Sequence, residues 1–236
     1  MESCSLRIAG LLIQAWSQPA ERKHRALPDY RSKTNITPNP ELSFQLCPIQ
    51  SDHPYLKQPG IDALIADRFG IGFYIGTGIM SGRVVIPIHN HRGALVAYAG
   101  RAVDNREPRY RFPRGFRKSI ELYNLHRCTR KSVVLVEGFF DALSVMQAGF
   151  DVVALMGVVL SEQQKKLLPS RFSEVVLLLD GDDAGRRATE RIANVLKQVL
   201  QVRVGVVPEA RQPDCLKVDE IAKLVRSAVP MDGWRP

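Results

Sequence analysis

From residue 132 the chain alternates short apolar runs with longer amphipathic stretches: VVLVE, FFDALSVMQAG, VVALM, SEQQKKLL, EVVLLLD, AGRRATERIANVLKQVL, VRVGVVP and VDEIAKLVRSA. Four or five consecutive apolar residues bounded by turns predict a strand buried on both faces, whereas apolar positions three and four apart predict a helix. Four strand–helix alternations imply a parallel sheet with helices on both faces and right-handed crossovers. Upstream, residues 61 to 69 predict an amphipathic helix. RVVIPIHNH and GALVAYAGR predict a hairpin that turns at Asn90 to Gly93. The expected class is α/β: a four-stranded parallel sheet flanked by helices, preceded by a small mixed α+β subdomain.

The first 54 residues lack this order. Leu6 to Trp16 predicts one short helix, and QPAERKHRALPDYRSKTNITPNP after it is polar, basic and proline-rich, as a linker is. The expected division is an N-terminal helix and basic linker at 1–54, a basic subdomain at 55–129, the α/β unit at 130–228 and a tail at 229–236.

With 45% hydrophobic residues the chain has the composition of a globular protein. No apolar stretch approaches the roughly 20 residues needed to span a bilayer, and IAGLLIQAW is too short and lacks a clear cleavage site. A cytoplasmic protein without a membrane partner is expected. Cys4, Cys47, Cys128 and Cys215 are scattered, with no C-x-x-C pair. That spacing suits reduced thiols, and no zinc is expected in this chain.

Charge changes the picture more. There are 33 Lys and Arg against 24 Asp and Glu, a formal net charge of +9, which points to a polyanionic partner. Residues 101–131 concentrate it, with eight Arg and two Lys against Asp104, Glu107 and Glu121. Tyr110, Phe112, Phe116 and Tyr123 are interleaved with these cations. Such rings either stack on single-strand bases or pack between the two subdomains, and packing is the commoner use.

Against this basic background, VVLLLDGDDAG places Asp180, Asp182 and Asp183 directly after an apolar strand, and VVLVEG places Glu137 after another. If the two strands are neighbours where the strand order reverses, their carboxylates face one crevice. Carboxylates gathered there repel one another unless a cation neutralises them. A hard divalent cation such as Mg²⁺, held by a few carboxylates and phosphate oxygens, meets that need. Gly138 and Gly181 would let backbone and ligand approach closely. The competing reading of any single acid is a helix N-cap, with Asp183 before Ala184 as the example.

VEGFFDAL, then VVLLLDGDDAG about 40 residues later, then VVPEARQPD resemble the Toprim domain of bacterial primases, topoisomerases and some nucleases. QAGFDVVALMGVVLSEQQKKLL and, upstream, GRVVIPIHNHRGALVAYAGR, EPRYRFP and RKSIELYNL narrow the resemblance to the catalytic core of bacterial DnaG-type primase, over roughly residues 54 to 225. The resemblance implies that Glu137, Asp180 and Asp182 are catalytic metal ligands, with Asp141 supporting and Asp214 a further ligand. It places Gln212 where primases carry the acid that partners Asp214, and an amide oxygen ligates without adding charge. It also places Arg101, Arg109, Tyr110, Arg111 and Lys118 on the nucleotide and template groove.

The implied activity is Mg²⁺- or Mn²⁺-dependent synthesis of short RNA primers from ribonucleoside triphosphates on a single-stranded DNA template. A helicase and a separately supplied zinc-binding module are further implied partners, since the zinc-binding and helicase-binding domains of bacterial primases are not expected here. Two rivals use the same residues: a Toprim nuclease, and a catalytically degenerate DNA-binding module of a mobile element. His89-Asn90-His91 spells HNH, but it reads as the hairpin turn. Cys128 and Cys215 lack a neighbouring base and read as structural.

Overall fold

In the computed structural model the described residues are 37–57 and 60–234. The predicted helix at Leu6 to Trp16 lies outside them. Two five-stranded sheets make up the described part. The first is antiparallel, in the order β1 (Ile49–Gln50), β2 (Gly72–Tyr74), β3 (Arg83–His89), β4 (Leu95–Ala102) and β5 (Tyr110–Arg111). Helices α1 (Pro54–Lys57) and α2 (Ala63–Arg68) lie between β1 and β2 in the chain. The predicted hairpin is present. Asn90 Oδ1 accepts from the Arg92 and Ala94 amides, and Gly93, at φ +89°, completes the turn. Pro87 fits inside β3 because β2 pairs only with residues 83–85, so its missing N–H falls beyond the end of β2.

Residues 37–54 are not the linker that their composition suggests. Asn39 is buried, donates to the Arg117 carbonyl (3.0 Å) and to Glu121 Oε1 (3.1 Å), and accepts from the Arg117 amide. Leu42, Leu46 and Ile49 pack on a cluster of Tyr74, Met80, Val85 and Tyr98, and Ile49–Gln50 supplies β1. A few well-placed groups tie this segment down, and they leave no periodic trace.

The second sheet has the order β10-β9-β8-β6-β7. Its strands β6 (Ser132–Val136), β7 (Val152–Ala154), β8 (Glu174–Leu177) and β9 (Gln201–Val204) are parallel, as the alternation predicts. A short antiparallel strand, β10 (Val229–Pro230), adds a fifth at the edge, drawn from the residues expected to be tail. Helices α3 (Phe139–Gln147), α4 (Glu162–Arg171), α5 (Asp183–Leu196) and α6 (Val218–Arg226) connect or follow the strands.

Strand alternation divides the core. Val133, Leu135, Val175, Leu177 and Leu179 face one way, with Leu168, Ile192 and Leu196 of α4 and α5. Val134, Val136, Val176 and Leu178 face the other, with α3, α6 and the Val84, Ile86 and Ile88 face of β3. Helix α3 is therefore apolar almost all round: residues 139–146 are all buried. It lies in the core shared by the two sheets.

Candidate active site

Strand β6 pairs with β7 on one side and with β8 on the other, so the strand order reverses between β6 and β8. Both acid-bearing turns leave the sheet there, at the carboxyl ends of adjacent strands. The Asp180 amide points to Glu137 Oε1 at 3.5 Å. Asp141, in the first turn of α3, accepts from the Gly138 amide (2.9 Å) and, through its other oxygen, from the Asp214 amide (3.1 Å). Asp214 lies in a short 3-10 helix, Pro213–Cys215, that packs on α3. Gln212, just before it, donates its amide to Asp180 Oδ2 at 2.8 Å. Glu137 and Asp180, and Asp141 and Asp214, are thus brought together at the carboxyl ends of β6 and β8.

The two glycines of the DGDDAG turn are explained by protein contacts. A β-carbon at 181 would fall on the Pro208 carbonyl oxygen, and one at 185 on the Asp180 carbonyl oxygen. The backbone that closes on Gly181 belongs to the protein, and no ligand is needed to account for it. Gly138 has room for its N–H to meet Asp141, since a β-carbon there would stand 2.8 Å from Asp141 Oδ2. The helix cap is Asp182, whose Oδ1 accepts from the Gly185 amide at 2.7 Å, while Asp183 pairs with Arg186 at 2.9 Å. The cap expected of Asp183 belongs to its neighbour, because the tight Gly181 turn starts the helix one residue sooner.

Burial and mutual repulsion act together on these acids. Burial, then the charges of Asp180 and Asp182, push Glu137 up to about 7. Burial, then Asp214 and Asp180, push Asp141 up to about 7. Asp180 is pushed up to about 6, mainly by burial, with the Gln212 hydrogen bond opposing the shift. Asp180 Oδ1 is enclosed and has no hydrogen-bond partner. Among the described residues, no group of three or more His, Cys, Asp or Glu side chains is already gathered to hold a metal ion. The donor chemistry nevertheless fits a hard divalent cation: an orphaned carboxylate oxygen on Asp180, with Asp182 and Asp214 close enough to raise its pKa and Glu137 and Asp141 close enough to have theirs raised by it.

The basic segment meets the acidic one through rings. Tyr110 stands 5.6 Å, and Tyr123 4.9 Å, from the Phe139 ring at the start of α3. Phe112 packs on Phe116 and Phe139. All four rings belong to or line the shared core, and burial pushes the Tyr110 phenol up to about 12. Arg101 lies among them, donating to the Tyr55 hydroxyl (2.7 Å) with its guanidinium 4.8 Å from the Tyr110 ring centre. Lys118 reaches across to the Met156 carbonyl at 3.1 Å, in the loop after β7. Arg109 is exposed and Arg111 half-buried. Thus Arg101, Tyr110 and Lys118 are built into the junction of the two sheets, which residue order along the chain does not reveal.

Cys128 is buried, as expected of a structural thiol. Cys215 is exposed, with its thiol 3.3 Å from Asp214 Oδ1. His89 and His126 are paired rings, 4.6 Å between centres, at the base of the hairpin. A cavity of about 240 Å³ lies at the opposite end of the parallel strands. Arg130, Ser132, Asp151, Glu174 and Arg203 are in its wall, so it is not part of the acidic crevice. Among the described residues no helix is long and apolar enough to cross a membrane.

Residues 134–216 match the Toprim-like family model, and residues 75–129 match the model for the N-terminal domain of the DNA primase catalytic core. The chain has a Toprim fold like that of the primase catalytic core. It is 32% identical over 166 residues to the DNA primase of Clostridium acetobutylicum, covering 65% of this chain and 28% of that protein. To a DNA primase of Staphylococcus aureus it is 34% identical over 181 residues, covering 69% and 30%. The chain therefore spans less than a third of these relatives. Among solved structures, the zinc-binding and RNA polymerase domains of Aquifex aeolicus primase superpose with a TM-score of 0.66 at 28% identity, covering 75% of this chain and 55% of that one. A primase domain from Pseudomonas aeruginosa gives 0.63 at 27%, covering 75% and 71%. Toprim and primase domains are in general dependent on divalent metal.

Proposed function

We propose that this primase-type core synthesises short RNA on single-stranded DNA in a reaction that depends on Mg²⁺ or Mn²⁺. The observation that carries the reading is the meeting of two acid-ended parallel strands at the reversal of strand order, directly beside the ring-lined basic sheet. Glu137, Asp180 and Asp182 would hold the cation, with Asp141 and Asp214 shaping its surroundings. The cation, when bound, supplies positive charge that activates a primer 3'-hydroxyl and steadies an incoming triphosphate. Arg101 and Lys118, fixed by Tyr55 and the Met156 carbonyl, orient phosphates relative to the acids. Arg109 and Arg111 hold template phosphates. Incorporation of labelled ribonucleotide on single-stranded DNA tests the reading. Degradation of the template in the same tube would favour the nuclease alternative, and neither signal would favour a binding module.

The basic segment carries its own prediction. Arg109→Ala, Arg111→Ala and Lys118→Ala together are expected to weaken single-strand DNA binding and to reduce the salt slope by about 0.7 per lost phosphate contact. Titrations at several salt concentrations read both quantities, and an unchanged slope would place the binding surface elsewhere.

Metal and pH should act on the same groups. Glu137 and Asp141 have folded pKa values raised to about 7, so between the ordinary carboxylate range and pH 7 the folded state binds more protons than the unfolded one. Stability from these groups is present at low pH and is lost as pH rises through that window. Metal-free Tm is expected to fall by about 5 °C between pH 5 and pH 8 on this account. Divalent cation should recover more of it at pH 8 than at pH 5. Glu121, also raised to about 7 by burial, contributes in the same direction, so Glu121→Gln separates it: the metal-dependent part persists in that variant and disappears in Glu137→Gln. Melting curves with EDTA or Mg²⁺ read the difference.

A further inference from the structure

We propose that Gln212 is a positioning residue that restricts the acidic crevice to one tightly held divalent cation in the absence of nucleotide. The inference rests on the metal-binding reading above. The Gln212 backbone is fastened to the Asp180 turn: the Gly181 amide donates to the Arg211 carbonyl (2.8 Å) and the Ala210 amide to the Gly181 carbonyl (3.2 Å). From that anchored point its side-chain amide donates to Asp180 Oδ2. A carboxylate accepts and does not donate, so the NH₂ end of Gln212 faces Asp180 and its oxygen is turned away from that contact. Asp180 is left with one uncommitted oxygen, the enclosed Oδ1.

The two sides of Asp180 then differ. The unpartnered Oδ1, with the free oxygens of Glu137 and Asp182, is enough for a cation that takes one or two carboxylates and keeps several waters. Around Asp214 less negative charge and fewer uncommitted oxygens are on offer. Both Asp141 oxygens accept backbone amides, Asp214 Oδ1 accepts the Cys215 thiol, and Gln212 adds no charge. One partly committed carboxylate beside a neutral amide does not hold a second ion tightly. A carboxylate at 212 would add the missing charge and, lacking an N–H, would release Asp180 Oδ2 as well.

Counting bound Mn²⁺ tests this without any activity measurement, by electron paramagnetic resonance and calorimetry on the full chain without nucleotide. The parent is expected to bind one ion tightly, and Gln212→Asp two of comparable affinity. Gln212→Ala should keep one ion and bind it about 10-fold more weakly, since Asp180 loses its orienting partner. Gln212 is exposed, so melting in EDTA should show both variants folded; if Gln212→Asp alone fails to fold, the affinity of Gln212→Ala decides. Two tight ions in the parent, or an unchanged count in Gln212→Asp, or an unchanged affinity in Gln212→Ala, would overturn the inference. An absence of any tight ion in the parent would overturn the metal-binding reading with it.

Discussion

Asp180→Asn is expected to lower the proposed primer synthesis by roughly 10³-fold or more, because the lost charge would act on the proposed cation, whose stabilisation of the reaction would be worth several kcal/mol. The fold should survive. Asparagine keeps the size of the side chain, and its carbonyl can still accept the Gln212 amide that now reaches Asp180 Oδ2. The amide nitrogen takes the place of the enclosed, unpartnered Oδ1 and removes one member of a like-charged group. Metal-free Tm should therefore stay level or rise, and the rise should be larger at pH 8, where the neighbouring acids are ionised. DNA affinity without metal should be equal or tighter, since a charge that repels phosphates is gone. Primer synthesis, melting and DNA titration on the two proteins side by side read all three effects. Full activity in the variant would remove Asp180 from the mechanism, and an unfolded variant would assign the acid to its turn.

Gly181→Ala should produce the opposite pattern, a loss of stability of about 3 kcal/mol, or roughly 10 °C in Tm. The new methyl group meets the Pro208 carbonyl oxygen, which is backbone and cannot swing aside. Relief requires the 205–211 segment to withdraw, and that breaks the two hydrogen bonds between the Gly181 peptide and residues 210 and 211. Because Gln212 follows directly, its hold on Asp180 should loosen too, so metal affinity should fall together with stability. Calorimetric melting and Mn²⁺ titration check the pair of effects. A variant that melts with the parent would mean that this segment moves freely, and the geometry argued for Gln212 would fail with it.

The chain's own pattern was sufficient for the parallel unit. Strands β6, β7 and β8 are short apolar runs, β9 alternates apolar and polar residues, and α5 and α6 show apolar stripes, so the parallel pairing follows from alternation of strand and helix. The hairpin at Asn90 to Gly93 was equally legible, because asparagine and glycine supply locally what the turn needs. The acid-ended strands placed Glu137 and Asp180 at the ends of two strands, and the structure makes those strands neighbours. All of these signals are carried within about 20 residues of chain.

Contacts between distant segments decided the rest. That β6 and β8 are neighbours is a matter of strand order, on which periodicity within either strand is silent. Gln212 meets Asp180 across 32 positions, and Asp214 meets Asp141 across 73. Asn39 ties residues that look like linker to Glu121, 82 positions away. Gly181 is small because of Pro208. The basic segment's rings serve the core because α3 is buried between two sheets, and the same rings on an exposed strand would have been free to stack on bases. Local pattern sets which face of an element is apolar, but the partner that covers it, and the charge or donor that meets each polar group, exist only once the chain has closed on itself.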